Sequence, residues 1–192
     1  MHLAAIAVVS YLLGSLPVAH WVTRLATGQR VSIRDARNLS ARDVALRVGR
    51  QAGVVTALLH ALQGAAACLL ARYYRGDQLS LLVAGLAVML GRGFSVWLRF
   101  RGGSGLVTAS GFFAALFPLS TLAAVPVFYL LHRLWPDHEF VLITGLVAML
   151  LGSLAERASL PLTGIAVATL AMAGVKALVA ALQRHAAQAR SG

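Results

Sequence analysis

Leu98-Arg99-Phe100-Arg101-Gly102-Gly103-Ser104-Gly105-Leu106-Val107-Thr108 is a basic, glycine-rich turn between two apolar stretches, and its residue types suit the holding of an anion. Successive glycines let the backbone turn tightly, bring its N–H groups against an oxyanion and release the chain into a helix whose N-terminus favours negative charge. Arg99 and Arg101 place full charges beside that nest, and Ser104 and Thr108 add hydroxyls. The same residues also fit a plainer account, a cytoplasmic loop rich in arginine under the positive-inside rule. A second polar stretch holds Arg37, Asn38, Ser40, Arg42 and Arg47, all able to bind phosphate oxygens. Arg92 and Lys176 fall inside apolar runs, where a cation either snorkels to the interface or faces a polar interior. His185 has a side chain whose pKa suits general-base work on a hydroxyl, and it equally suits a helix end at the interface. His60, in an apolar run, reads as a satisfied core histidine; no His, Cys or acidic pair has metal-ligand spacing, and neither metal nor cofactor is expected.

Composition names the elements that must position these groups. Of 192 residues, 59% are hydrophobic and 12% charged, with a mean hydropathy of +0.77, which excludes an ordinary soluble domain and indicates a polytopic, all-α membrane protein. The net charge of +11 comes from 17 basic residues, 16 of them arginine, lying mostly in the gaps between apolar runs. It reads as topology and contact with lipid headgroups, not as nucleic-acid binding. Cys68 is the sole cysteine, so no internal disulfide forms. The first apolar run lacks a basic leader region and a cleavage site and is taken as a retained helix.

Along the chain, a first helix is expected over residues 3–22, with Gly14, Ser15 and Pro17 allowing close approach of neighbours. From Arg24 to Arg50 come seven arginines against two acids, which puts this segment in the cytoplasm and the amino terminus outside. Within it, Ser40 and Asp43 form a capping-box pattern, Val44 and Val48 share a face, and Asp43 and Arg47 are spaced for an ion pair. These signs predict a short amphipathic surface helix. Further helices are expected over 54–71 and 79–98, then over 106–117 and 119–131 because Pro118 breaks that run, then over 140–154 and 162–182. Seven spans satisfy every charge cluster and leave the carboxyl terminus inside.

With this organisation, the sequence resembles the bacterial membrane acyltransferases that move a fatty acyl group from acyl phosphate onto glycerol 3-phosphate. The likeness runs over nearly the whole chain. Tyr11-Leu12-Leu13-Gly14-Ser15-Leu16-Pro17 is similar to the family's first-helix pattern, and Leu90-Gly91 followed by Arg99 to Thr108 and Gly111 is similar to its second motif, with Gly49, Gly53 and Gly64 at matching spacing. Departures are equally specific. The family's G-S-G-N-x-G-A-T-N becomes Asp35-Ala36-Arg37-Asn38-Leu39-Ser40-Ala41-Arg42-Asp43, with Leu46 at the following arginine position. Its aspartate and lysine before a glycine become His60 and Gln63 before Gly64, and its G-H-x-x-P becomes Gly91-Arg92-Gly93-Phe94-Ser95. Its K-G-G-K-G becomes Arg101-Gly102-Gly103-Ser104-Gly105, and Gln188 replaces an asparagine after Arg184-His185.

The resemblance implies one membrane-embedded domain over residues 1–192 in the bacterial inner membrane. It implies acyl transfer from acyl phosphate to glycerol 3-phosphate, giving lysophosphatidic acid for phospholipid synthesis, with these substrates and membrane lipids as partners. His185 and Ser104 are then the catalytic candidates. Arg37, Asn38, Ser40, Arg42, Arg47, Arg92, Arg99, Arg101, Gly102, Gly103, Gly105 and Thr108 are the phosphate-binding ones. The lost motif groups leave open a relative of another class, inactive in catalysis, that binds lipid or a membrane partner; a small-solute transporter fits less well, since inverted repeats are not evident.

Overall fold

The computed structural model describes residues 2–28, 39–100 and 102–134, with isolated helical positions at Val147, Leu151, Gly164, Val167, Ala171 and Val175. Every regular element among the described residues is helical, as an apolar chain in lipid requires, because a helix satisfies its own backbone. In order these are α1 (His2–Ser15), α2 (Val18–Thr27), α3 (Ala41–Arg47), α4 (Arg50–Tyr74) and α5 (Gln78–Gly93), then a 3₁₀ turn (Val96–Leu98), α6 (Leu106–Leu116) and α7 (Pro118–Leu134). Among the described residues three segments are long and apolar enough to cross a membrane: His2–Thr27, Arg50–Tyr74 and Gln78–Leu98. The expected helices over 140–154 and 162–182, and the tail with Arg184 and His185, lie outside the described residues.

The single first helix expected over 3–22 is two helices. Pro17 has no N–H to give the Leu13 carbonyl, so α1 stops at Ser15, and α2 restarts at Val18 and runs on to Thr27. Gly28, left-handed at φ 67°, ends α2 by donating its N–H to the Arg24 carbonyl. The Pro118 break falls where expected, with α6 ending at Leu116 and α7 starting at Pro118. The capping box at α3 is also present: Ser40 Oγ accepts from the Asp43 N–H at 3.1 Å, and the Ser40 N–H donates to the Asp43 carboxylate at 2.9 Å. That carboxylate is thereby engaged, and the expected Asp43 to Arg47 ion pair does not form; among the described residues the ion pair is Arg75 with Asp77, at 3.1 Å. Val44 is fully buried, packed with Ala19 and Leu39, while Leu46 and Arg47 face outward.

Two helix pairs make the framework of the site. α1 packs on α5 where Gly14 meets the Val88 backbone and Gly91 meets that of Tyr11. α4 packs on α6 where Gly64 meets the Thr108 carbonyl and Gly111 that of Ala61. Small residues let backbones touch, which is how helices associate where lipid is as apolar as the side chains. Phe112, Phe113 and Val88 fill the core between these pairs, and Leu12, Leu58, Leu62 and Leu69 remain on outer faces. At 11 residues α6 is too short to span about 30 Å of hydrocarbon. It is instead an inner element, and Arg72 Nη1 caps its last turn by donating to the Ala115 carbonyl at 3.0 Å.

The turn before α5 is held by Asp77, whose carboxylate accepts from the Ser80 N–H at 3.0 Å. Hydrogen bonding from Ser80 is the main cause that holds the Asp77 carboxyl below the usual carboxylate range, with the Arg75 charge adding to it. A lowered native pKa means stabilisation that is present above the unfolded value and lost as pH falls through the native one. Asp77→Asn should therefore lower the melting temperature at neutral pH and flatten the acid limb of the curve below about pH 4, where the unfolded carboxylate titrates, so that the two proteins converge in acid.

Candidate functional site

The last turn of α5, the glycine turn and the start of α6 form the site, and α1 and α4 hold it in place. Leaving α5, the chain is tied to α1 twice: Tyr11 Oη donates to the Phe94 carbonyl at 2.7 Å, and Ser95 Oγ donates to the Ser15 carbonyl. After the 3₁₀ turn, Arg99 and Phe100 both adopt left-handed backbone, at φ 55° and 59°. For side chains of this size each such residue stores about 1–3 kcal/mol, and strain of this kind concentrates at functional turns. Gly105, at φ 77°, then opens α6 and, having no side chain, offers its first N–H groups no side-chain cap.

Arg92 occupies the middle of this arrangement. It is only 6% exposed, and the turn passes directly over it: Gly102 lies against the Arg92 carbonyl, and a Cβ at Gly103 would sit 3.2 Å from Nη2. Glycine is needed at position 102, where a Cβ would fall on the Arg92 backbone, and a Cβ at position 103 would press on the guanidinium itself. A guanidinium keeps its charge and has five N–H donors. Among the described residues its one hydrogen-bond partner is His60 Nε2, at 3.1 Å from Nη2. No described carboxylate balances it, since Asp43 is bonded to Ser40 and Asp77 to Ser80 and Arg75. A desolvated cation with spare donors beneath a glycine turn is an arrangement that an anion completes. Thr108, fully buried in the first turn of α6, also has a hydroxyl without a partner among the described residues.

Over residues 4–191 the chain matches the model of the glycerol-3-phosphate acyltransferase family. The chain belongs to this family. Glycerol-3-phosphate acyltransferases from Geotalea daltonii and Gluconobacter oxydans are similar to it. The first is 34% identical over 155 residues (80% of this chain, 79% of the relative), the second 36% over 159 residues (78% and 75%). The fold is that of PlsY (YgiH), an integral membrane glycerol 3-phosphate acyltransferase. Its glycerol 3-phosphate form superposes with a TM-score of 0.82 at 22% identity, over 97% of this chain and 94% of that one. Its lysophosphatidic acid form gives 0.80 at 23% identity, over 92% and 88%.

Within this acyltransferase scaffold the candidate residues divide. Arg92, Gly102, Gly103, Gly105 and Thr108 come together: a Cβ at Gly105 would fall on the Met89 side chain and 3.6 Å from that of Arg92, and Thr108 lies beside Gly64. Ser104 is half-buried within the same turn. Arg42, Arg47 and Arg99 are exposed, and the Ser40 hydroxyl is used by the capping box. Arg37, Asn38, Arg101 and His185 lie outside the described residues, as does Lys176. Arg92 does not snorkel. It turns inward because His60 waits for it on α4.

His60 and Gln63 are the residues that the sequence reading missed as parts of a site. His60 Nδ1 lies 2.8 Å from Gln63 Oε1, and Gln63 Nε2 donates to the Leu13 carbonyl at 2.8 Å and the Leu16 carbonyl at 3.3 Å. Positions 60, 63 and 92, which look like three separate motif losses in the sequence, meet as one network. The available signal was their common departure from the family pattern in a single chain.

Proposed function

We propose that this protein acylates glycerol 3-phosphate with acyl phosphate as donor, releasing inorganic phosphate and forming lysophosphatidic acid, in a single domain of the bacterial inner membrane. The observation that carries this reading is the buried Arg92 guanidinium beneath Gly102 and Gly103, with no balancing carboxylate among the described residues. Family membership supports the reaction class, and the PlsY structures support the acceptor and the product by their ligands.

In this reading the glycine turn, Arg92 and the N–H groups of the first turn of α6 hold phosphate oxygens, Arg99 adds charge beside the turn, and Arg37, Arg42, Arg47 and Arg101 are further candidates for phosphate. The acceptor hydroxyl oxygen attacks the acyl carbonyl carbon. The carbonyl becomes an oxyanion, the bond from carbon to the phosphate oxygen breaks, and phosphate leaves with the electron pair. His185 takes the hydroxyl proton, and Ser104 donates to the developing oxyanion. An acyl phosphate is already activated, so positioning and charge neutralisation supply much of the rate without a covalent enzyme intermediate.

The test is release of inorganic phosphate from palmitoyl phosphate by purified protein in detergent, with and without glycerol 3-phosphate, beside an Arg101→Ala control. Release that depends on the acceptor and falls at least about tenfold in the control supports the reading. A folded protein releasing no more than its mutant would leave a lipid-binding or partner-binding relative as the account to pursue.

A further inference from the structure

We propose that His60 and Gln63 are positioning residues for Arg92, fixing the guanidinium so that its unused N–H groups face the phosphate held under Gly102 and Gly103. The proposal rests on the phosphate-site reading above and names residues of this chain that hold that site in register.

Each hydrogen bond in the network has a determined direction. Because Pro17 has no N–H, the Leu13 carbonyl loses its i+4 donor and keeps only a long bond from the Leu16 N–H at 3.4 Å, and the Gln63 amide adds a closer one at 2.8 Å, with the Leu16 carbonyl at 3.3 Å as a second acceptor. Two backbone acceptors fix which end of the Gln63 amide is Nε2, so Oε1 must face His60 and accept from Nδ1. A histidine protonated on Nδ1 presents a lone pair at Nε2, and Arg92 Nη2 donates into it. The chain of contacts thus runs from the α1 break through α4 to the end of α5. Both side chains are nearly fully buried, His60 at 2% and Gln63 at 6% exposure, so neither has water as an alternative partner.

The chemistry of the acceptor matters as much as its place. A neutral imidazole fixes one N–H of Arg92 without cancelling its charge. The full cation therefore remains for the ligand. A carboxylate at the same position would compete with phosphate for the guanidinium.

Two substitutions separate positioning from packing. Glutamine at position 60 reaches as far as Nε2 and can still accept from Arg92, whereas asparagine reaches only as far as Nδ1 and keeps the contact to Gln63 instead. In the full-length protein, with palmitoyl phosphate as donor, His60→Asn should raise KM for glycerol 3-phosphate by about tenfold and leave kcat within about threefold, while His60→Gln stays within about threefold in both. In an Arg92→Met background, His60→Asn should change kcat/KM no further. If His60→Asn does not fold, Gln63→Met removes the anchor and should raise the same KM. Equal KM in His60→Asn and wild type, or equal rises in the two His60 variants, would overturn the positioning role alone. A folded wild-type protein with no turnover dependent on glycerol 3-phosphate would overturn the acyl-transfer reading and this role with it.

Discussion

Arg92→Met is expected to lower kcat/KM for glycerol 3-phosphate by at least about 10²-fold while the melting temperature stays level or rises. The two halves of this result have separate physical origins. Charged hydrogen bonds to a phosphate contribute about 1.5–3 kcal/mol each, and a guanidinium over a phosphate makes them in pairs, so losing the group exceeds the tenfold step that about 1.4 kcal/mol represents. Stability moves the other way. Burying an uncompensated ion costs several kcal/mol, and an apolar side chain of similar length in its place is often neutral or stabilising. Against that stands one lost hydrogen bond to His60, about 1 kcal/mol. An arginine kept for architecture would show the reverse, lower stability with activity falling in proportion. Kinetics and detergent melting on the same preparation distinguish the two.

Gly111→Val should abolish the folded protein in most preparations. A Cβ at Gly111 falls on the Ala61 backbone of α4, and its counterpart Gly64 on α4 meets the Thr108 carbonyl of α6 in the same way. Overpacking usually costs about 1–3 kcal/mol because side chains can shift, but here the obstacle is helix backbone and α6 must move as a unit. Thr108 and the first turn of α6 would move with it, so any protein that survives should have lost acceptor-dependent turnover. Gly164→Ala is the control, since among the described residues an added Cβ there meets nothing within 4 Å. Alanine is the better helix former by about 1 kcal/mol, so this variant should melt at or above the wild-type temperature.

Local chemistry was legible in the sequence wherever it acted over a few residues. The Ser40 and Asp43 box, the break at Pro118 and the release of the glycine turn into α6 all depend on neighbours within one or two helical turns, and all three are present. Pro17 was legible as a small-residue helix feature but not as a break, because prolines in membrane helices are often absorbed by neighbouring groups. Here Gln63, 46 positions along, supplies the Leu13 carbonyl, and the helix stops all the same. The pairing of Arg92 with His60 was not legible for a related reason. Each looks isolated in an apolar run, and the contact between them spans 32 positions and two helices, which no periodicity within either helix encodes. Their shared departure from the family pattern pointed to the pairing, but only helix packing identifies the partner of each.

The central claim, that Arg92 and the glycine turn hold the phosphate of an acceptor which this chain acylates, is tested most directly by the product. Purified wild-type protein and Arg92→Met would be incubated with palmitoyl phosphate and carbon-13-labelled glycerol 3-phosphate, and the lipids analysed by mass spectrometry. The account predicts labelled palmitoyl-glycerol 3-phosphate from wild type, and at least about 10²-fold less from an equally folded Arg92→Met. Equal product from both proteins, or none from folded wild type, would contradict it.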